Sequence, residues 1–269
     1  MQTKRIFTML TLVTLGTLIA LNLISFITKQ TTIASTTEQM QLTMPTLIAH
    51  AGGEINSQKN TNSLEALNLS IKKGFNFIEL DFSWTKDKEL VLIHDWGKTV
   101  KQLFEADSKQ YTLNEFKQLK MKNGLTQLSL NDLTQWMNKH PDVHIATDTK
   151  DNTIDALTMI KNKYPNLKDN FIPQIYFFKE YLVVKKLGYK NIILTMYRSK
   201  YLDSEIIDFI DNNDVIAITM PITRAITELP IRLKAKDIPS YTHTINNHSL
   251  LKNLLKNGLT GIYTDSLIP

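Results

Sequence analysis

The stretch that decides the fold is GFNFIELDFSWTKDKELVLIHD, residues 74–95. It holds two apolar runs, Phe75–Ser83 and Glu89–Ile93, separated by little more than Thr85-Lys86-Asp87-Lys88. So short a connection closes an antiparallel hairpin, whereas a parallel crossover takes a dozen residues or more. The second run is therefore a return arm and not a stave of a parallel sheet. Outward from it, the other candidate strands are Leu47–Ala49, Val143–Thr147, Phe171–Phe178, Asn191–Met196, Val215–Met220, Pro239–Thr244 and Gly261–Thr264. Helical patterns lie between the first two strands and near 152–163, 179–187, 203–212 and 247–257. In the first, Asn62 is the expected cap, with Glu65 three residues on, Leu64, Leu67 and Ile71 as the buried stripe and Gly74 as the stop. In the last, Leu250, Leu251, Leu254 and Leu255 are expected to face inward, and Gly258 to close the helix. With the return arm set aside, eight strands remain, most followed by a helix. That pattern predicts an α/β fold, a parallel sheet closed into a (β/α)8 TIM barrel. Residues 96–140 then form a small insertion after the second stave. An open doubly wound sheet competes, but no glycine-rich dinucleotide fingerprint follows the first strand.

The chain has 269 residues, 42% of them hydrophobic, enough for one barrel of about 250 residues. A net charge of +5 and the absence of any long basic run give no reason to expect a nucleic-acid partner. There is no cysteine, which excludes disulfides, thiolate nucleophiles and sulfur-ligated zinc. Lys4 and Arg5 precede Ile6–Ile27, a stretch without a charged residue, and Lys29 follows. About 20 uncharged residues suffice to span a bilayer. Residues 1–28 are read as an uncleaved transmembrane anchor in preference to a cleaved signal peptide, for which Thr32-Ile33-Ala34 would be the site. With the basic end inside, the remaining chain lies outside the cytoplasm, held to the cell membrane by a single pass. Residues 29–45 read as a linker and 46–269 as the barrel, expected to be monomeric.

Four short motifs fall at strand ends: His50, Glu79-Leu80-Asp81, His94-Asp95 and Asp148-Thr149-Lys150. Side chains alternate along a strand, so Glu79 and Asp81 share a face, as do Asp148 and Lys150. Barrel strands converge with their C-terminal ends at one mouth. Three carboxylates gathered there repel one another unless a cation joins them. An all-oxygen set suits a hard divalent ion, Mg²⁺ or Ca²⁺. A metal beside one lysine makes a pocket for phosphate, and two histidines can serve as base and acid on either side of phosphorus. This combination points to phosphodiester cleavage. His243, late in the seventh stave, Tyr197-Arg198 after the fifth, and Trp84 beside the acidic motif are candidate pocket walls. His140, His144 and His248 read as surface residues.

HAGG at 50–53, TNSLEAL at 61–67, the 74–95 stretch, TDTK at 147–150, YTHTIN at 241–246 and GLTGIYTD at 258–265 resemble the signatures of the glycerophosphodiester phosphodiesterase family. The resemblance implies a barrel with an insertion after the second strand. It implies His50 and His94 as the catalytic pair with Lys150 beside them, and Glu79, Asp81 and Asp148 as metal ligands. Arg198, His243 and Trp84 are the residues expected to meet substrate. The chain departs from the family pattern at Ala51, where an arginine usually clamps the phosphate. It also has Asn60-Thr61-Asn62-Ser63 where Pro-Glu-Asn-Thr is usual. The implied chemistry is attack by a hydroxyl next to the ester, giving a cyclic phosphate that is then hydrolysed. Expected substrates are phospholipid head-group esters or a phosphodiester-linked surface polymer. The competing expectations are a non-catalytic protein that binds phosphorylated glycans or lipids, and a lyase that stops at the cyclic phosphate.

Overall fold

The computed structural model describes residues 42–269, and Met44–Pro269 form one compact unit. The expected anchor at 1–28 and residues 29–41 of the expected linker lie outside the described residues. Among the described residues no helix is long and apolar enough to cross a membrane.

Among the described residues there are nine strands: β1 (Leu47–Ala49), β2 (Phe77–Trp84), β3 (Leu90–Leu92), β4 (His144–Thr149), β5 (Phe171–Ile175), β6 (Ile193–Thr195), β7 (Ala217–Met220), β8 (Ser240–Thr242) and β9 (Gly261–Thr264). Eight of them pair in parallel, and the ring closes because β1 meets both β2 and β9. β3 is the exception. It runs antiparallel to the upper part of β2, pairing Phe82 with Leu92 and Trp84 with Leu90. The hairpin is therefore the return arm read from the sequence, and the fold is an eight-stranded parallel barrel.

The closing seam has a steric requirement. A Cβ on Gly261 would stand 2.2 Å from the Thr46 carbonyl oxygen, the same oxygen that accepts from the Ile262 amide at 2.9 Å. Only glycine lets β9 approach β1 this closely.

Along β2 the alternation is complete. Ile78, Leu80 and Phe82 belong to the main apolar core, which leaves Glu79 and Asp81 on the opposite, barrel-inward face. The helices Leu64–Lys72, Leu130–Met137, Thr153–Lys163, Phe178–Lys186, Asp203–Asn212 and His248–Lys256 supply apolar side chains to that core. Within the 96–140 span, a second cluster forms around Val100, Phe104, Tyr111 and Phe116. Leu130, Leu133 and Trp136 pack instead on the main core, so the last helix of that span is a barrel helix.

Three local expectations need correction. Ser63, not Asn62, caps the first helix, its hydroxyl accepting from the Ala66 amide at 3.3 Å. The fourth stave stops at Ile175 and does not reach Phe178, because Glu180 accepts from the Tyr176 and Phe177 amides at 2.8 and 2.9 Å and turns the chain into a helix. Of the four leucines assigned to the inner face of the last helix, only Leu254 is buried, and Leu250 is 38% exposed. His140 and His144 are half-buried, packed on Trp136 and Phe77; His248 is exposed.

Candidate active site

The histidine that follows β1 is held by the turn behind it. Ala51, Gly52 and Gly53 all have positive φ, at 46°, 83° and 88°. This left-handed run favours glycine and folds the chain back under the barrel mouth. A Cβ on Gly53 would meet the Ser70 hydroxyl at 2.6 Å, and Ser70 donates to the Gly52 carbonyl at 2.7 Å. The turn also aims the Ala51 amide at Glu79, whose Oε2 accepts it at 2.8 Å. The two glycines after His50 thus shape the backbone that fixes one of the carboxylates.

Glu79, Asp81 and Asp148 lie on neighbouring strands, with Asp81 directly opposite Asp148 in the β2–β4 ladder. One oxygen from each falls within 4.8 Å of the others, and all three residues are buried. Lys150 lies among them, its Nζ 2.7 Å from Asp81 and 2.6 Å from Asp148. Burial and the repulsion of Asp81 raise the Glu79 carboxyl to about 8. Burial alone would also raise Asp81, but Lys150 and the two histidines outweigh it and hold that carboxyl down. Burial opposes charge on Lys150, yet Asp81 and Asp148 keep its ammonium above the usual lysine range. A buried carboxylate pushed to hold its proton is what an acidic cluster shows when its charge is not fully balanced. The donor set is all oxygen, closely spaced and on rigid strands, so it fits a hard divalent cation.

His50 and His94 share one arrangement. His50 Nδ1 lies 2.9 Å from Asp265, and His94 Nδ1 lies 3.0 Å from Asp95. A carboxylate at Nδ1 fixes the proton there and leaves Nε2 as the reacting nitrogen. For His50 that Nε2 faces Glu79 at 4.0 Å. Burial depresses this imidazole, but the Asp265 hydrogen bond and the charges of Glu79 and Asp81 outweigh it and raise it to about 9. His94 is exposed and stands on the rim. Its carbonyl accepts from Ser83 at 3.4 Å, two residues beyond Asp81. Asp95 both orients His94 and caps the following turn, accepting from the Gly97 amide at 2.9 Å and the Thr99 hydroxyl at 2.6 Å.

The wall residues divide. The His243 ring stands edge-on to His50 at 5.4 Å and to Tyr197 at 4.0 Å. Burial and the charges of His50 and Lys150 lower it to about 3, so it is neutral, and its Nε2 is buried without a partner among the described residues. Arg198 reaches the site: its guanidinium donates to the Lys150 carbonyl at 2.5 Å and lies 4.4 Å over the Tyr176 ring. Trp84 does not line the acidic cluster. It occupies the other face of β2, its indole N–H donates to the Asp151 carbonyl at 2.8 Å, and it walls an adjacent cleft.

Four participants were not assigned a place in the site from sequence. Asp265 anchors His50 and is itself held by Asn246, which donates to its carboxylate at 2.7 Å and accepts from its amide at 2.8 Å. Asn62 bonds Asp81 twice at 2.9 Å, through its carboxylate and its amide. Tyr176 donates a short hydrogen bond to Asp148. Asp265, Asn246 and Asn62 all fall inside motif stretches quoted for the family, which was the available signal. Tyr176 carried none.

A family profile described as the Glycerophosphoryl diester phosphodiesterase family matches residues 50–268. No curated protein matches the sequence. Among solved structures, the chain resembles a glycerophosphodiester phosphodiesterase from Thermotoga maritima with a TM-score of 0.65 and 21% identity, over 84% of this chain and 96% of that one. A phosphodiesterase from Oleispira antarctica, solved with the product sn-glycerol-3-phosphate, superposes with a TM-score of 0.63 at 18% identity, over 82% and 93% of the chains. A third, from Galdieria sulphuraria, gives 0.65 at 16% identity, over 84% and 95%.

Proposed function

The chain belongs to the glycerophosphoryl diester phosphodiesterase family, and from that premise we infer that it is a divalent-metal-dependent phosphodiester hydrolase working through His50 and His94. The observation that carries this reading is the pairing of a three-carboxylate cluster within 4.8 Å with two histidines, each tied by Nδ1 to its own aspartate. Glu79, Asp81 and Asp148 would hold the cation. Bound there, Mg²⁺ or Ca²⁺ would withdraw charge from the phosphoryl oxygens and make a nearby hydroxyl more acidic. The protein supplies the rest. One imidazole takes a proton from the attacking hydroxyl and the other returns one to the departing alcohol. Lys150 and Arg198 bring positive charge to the phosphate, a role that Ala51 cannot fill. His243, neutral and beside His50, walls the pocket without competing for the proton.

The proposed setting follows from residues 1–28. An anchor at Ile6–Ile27 preceded by Lys4 and Arg5 would hold the barrel outside the cytoplasm. There it would act on phospholipid head-group esters or a phosphodiester-linked surface polymer. The test is hydrolysis of a diester panel by the full-length protein in detergent, with and without chelator, for wild type and for His50→Ala and His94→Ala. Each variant should lose about 10²–10⁴ in rate, the range for a positioned acid or base. A variant that keeps more than about a hundredth of the rate would remove that histidine from the chemistry. Activity indifferent to chelator would remove the metal. Phosphorus NMR of the product separates complete hydrolysis from release of a cyclic phosphate.

A further inference from the structure

A cleft of about 980 Å³, lined in part by Trp84, Trp96, Gln110, Asp151, Asp155 and Asn162, opens beside the acidic cluster. It contains none of the cluster's carboxylates, but two of its lining residues, Ser83 and Asp151, lie close to cluster residues along the chain. Ser83, which also lines it, is two residues beyond Asp81 on the same strand face, about 7 Å along the chain. Asp151 follows Lys150 directly. We propose that this cleft binds the polyhydroxylated alcohol, a sugar or polyol unit, of a phosphodiester whose phosphate lies at the cluster. The proposal rests on the phosphodiesterase reading above and adds the substrate class to it.

Its walls are suited to hydroxyl-rich ligands. Both indole N–H groups are already used: Trp84 donates to the Asp151 carbonyl and Trp96 to the Trp84 carbonyl, each at 2.8 Å. Gln110 donates to that same Trp84 carbonyl at 2.9 Å. The rings are thereby fixed, and what they offer a ligand is their apolar surface, against which the C–H face of a sugar or polyol packs. Across from them, on the exposed side of the Thr153–Lys163 helix, Asp155 and Asn162 carry side chains with no hydrogen bond or ion pair among the described residues. Together they offer acceptors and an amide donor, which hydroxyls need in both senses. The walls carry both charges, Lys86, Lys88 and Lys163 against Asp151 and Asp155, and Lys163 is already paired with Glu89 at 2.9 Å, so they give little net pull on a second phosphate. The volume lies at the upper end of the range for small-molecule pockets, about 300–1,000 Å³, room for more than a single glycerol.

The test uses the full-length protein in detergent, with cellobiose and ribitol as probes and saturation-transfer NMR and tryptophan fluorescence as readouts. Asn162→Trp, which fills the cleft from an exposed helical position, and Asp155→Ala are the variants; neither residue belongs to the catalytic machinery. At least one probe should bind wild type, and each variant should weaken it about tenfold, as expected for one or two lost hydrogen bonds or a filled subsite. Cellobiose alone would mark a sugar and ribitol alone a polyol. The KM for diesters of the bound alcohol should rise in parallel, while turnover of bis(p-nitrophenyl) phosphate stays within about twofold. Failure of both probes to bind, or binding that neither variant affects, overturns the proposal. Probe binding without cleavage of any diester would leave the subsite standing and refute the enzymatic reading. Cleavage without probe binding would do the reverse.

Discussion

Replacing Asp265 by Asn tests how His50 is made ready. The carboxylate lies 2.9 Å from Nδ1, is buried, and is held in place by Asn246 and by Lys59 at 3.6 Å. The amide is isosteric, so packing persists while the charge goes. A hydrogen bond to a charged group is worth about 1.5–3 kcal/mol, which corresponds to about one to two units of imidazole pKa and about 10- to 150-fold in rate. Asp265→Asn should therefore lose about one to two decades in kcat/KM. The His50 midpoint, which the folded protein raises to about 9, should move down by about one to two units. The assay is a pH–rate profile on a soluble glycerophosphodiester at saturating metal, with histidine NMR titration of the same samples. Asp265→Glu should recover part of the rate if position matters as well as charge. A rate within about threefold of wild type together with an unmoved His50 midpoint would refute the idea that Asp265 positions and charges this imidazole.

Other consequences follow from the same geometry. Asp148→Ala removes one cluster oxygen and leaves Lys150 and Tyr176 without their shared partner; metal affinity measured by calorimetry should fall at least tenfold, the lower end for loss of support at a metal site. Arg198→Ala withdraws a rim cation that touches no cluster carboxylate, so KM should rise about three- to tenfold with kcat little changed, as read from steady-state kinetics. With chelator present, thermal stability should decline as pH rises. Glu79, raised to about 8, holds a proton in the folded state that the unfolded chain releases near 4.5, and His50, raised from 6.5 to about 9, does the same above it. Below about 6.5 His243, lowered to about 3, works the other way, because the unfolded chain protonates it and the folded one does not; above that the folded state binds more protons than the unfolded one, so stability falls with pH. Melting scans from pH 6.5 to 9 should show this slope without metal and a shallower one with Mg²⁺ or Ca²⁺.

The barrel was legible because one short turn at 85–88 settled how the strands count, and turn length is a local property. The acidic cluster and Lys150 were legible because alternation along β2 and β4 fixes which side chains share a face. The supporting residues were not. Asn62 precedes a helix and reads as a cap, since Asn and Ser serve equally there; only the tertiary structure shows that Ser63 takes the cap and frees Asn62 for Asp81. Asp265 and Tyr176 act on partners 215 and 28 residues away, separations at which spacing conveys nothing. Trp84 sits next to the acidic motif in sequence, but strand parity turns it to the other face. The leucines of the last helix have the right period, yet that helix buries a narrower stripe than its pattern suggests.

The His50–Asp265 contact has a temporal consequence. It links the residue just after β1 to the residue just after β9, across the same seam where the Glu54 amide donates to the Asp265 carbonyl. During synthesis His50 emerges early and waits for its partner until almost the entire barrel has been made. A chain still being translated or threaded across a membrane would thus carry its histidine without the anchor that arms it, and the proposed activity would switch on only with the last stave in place.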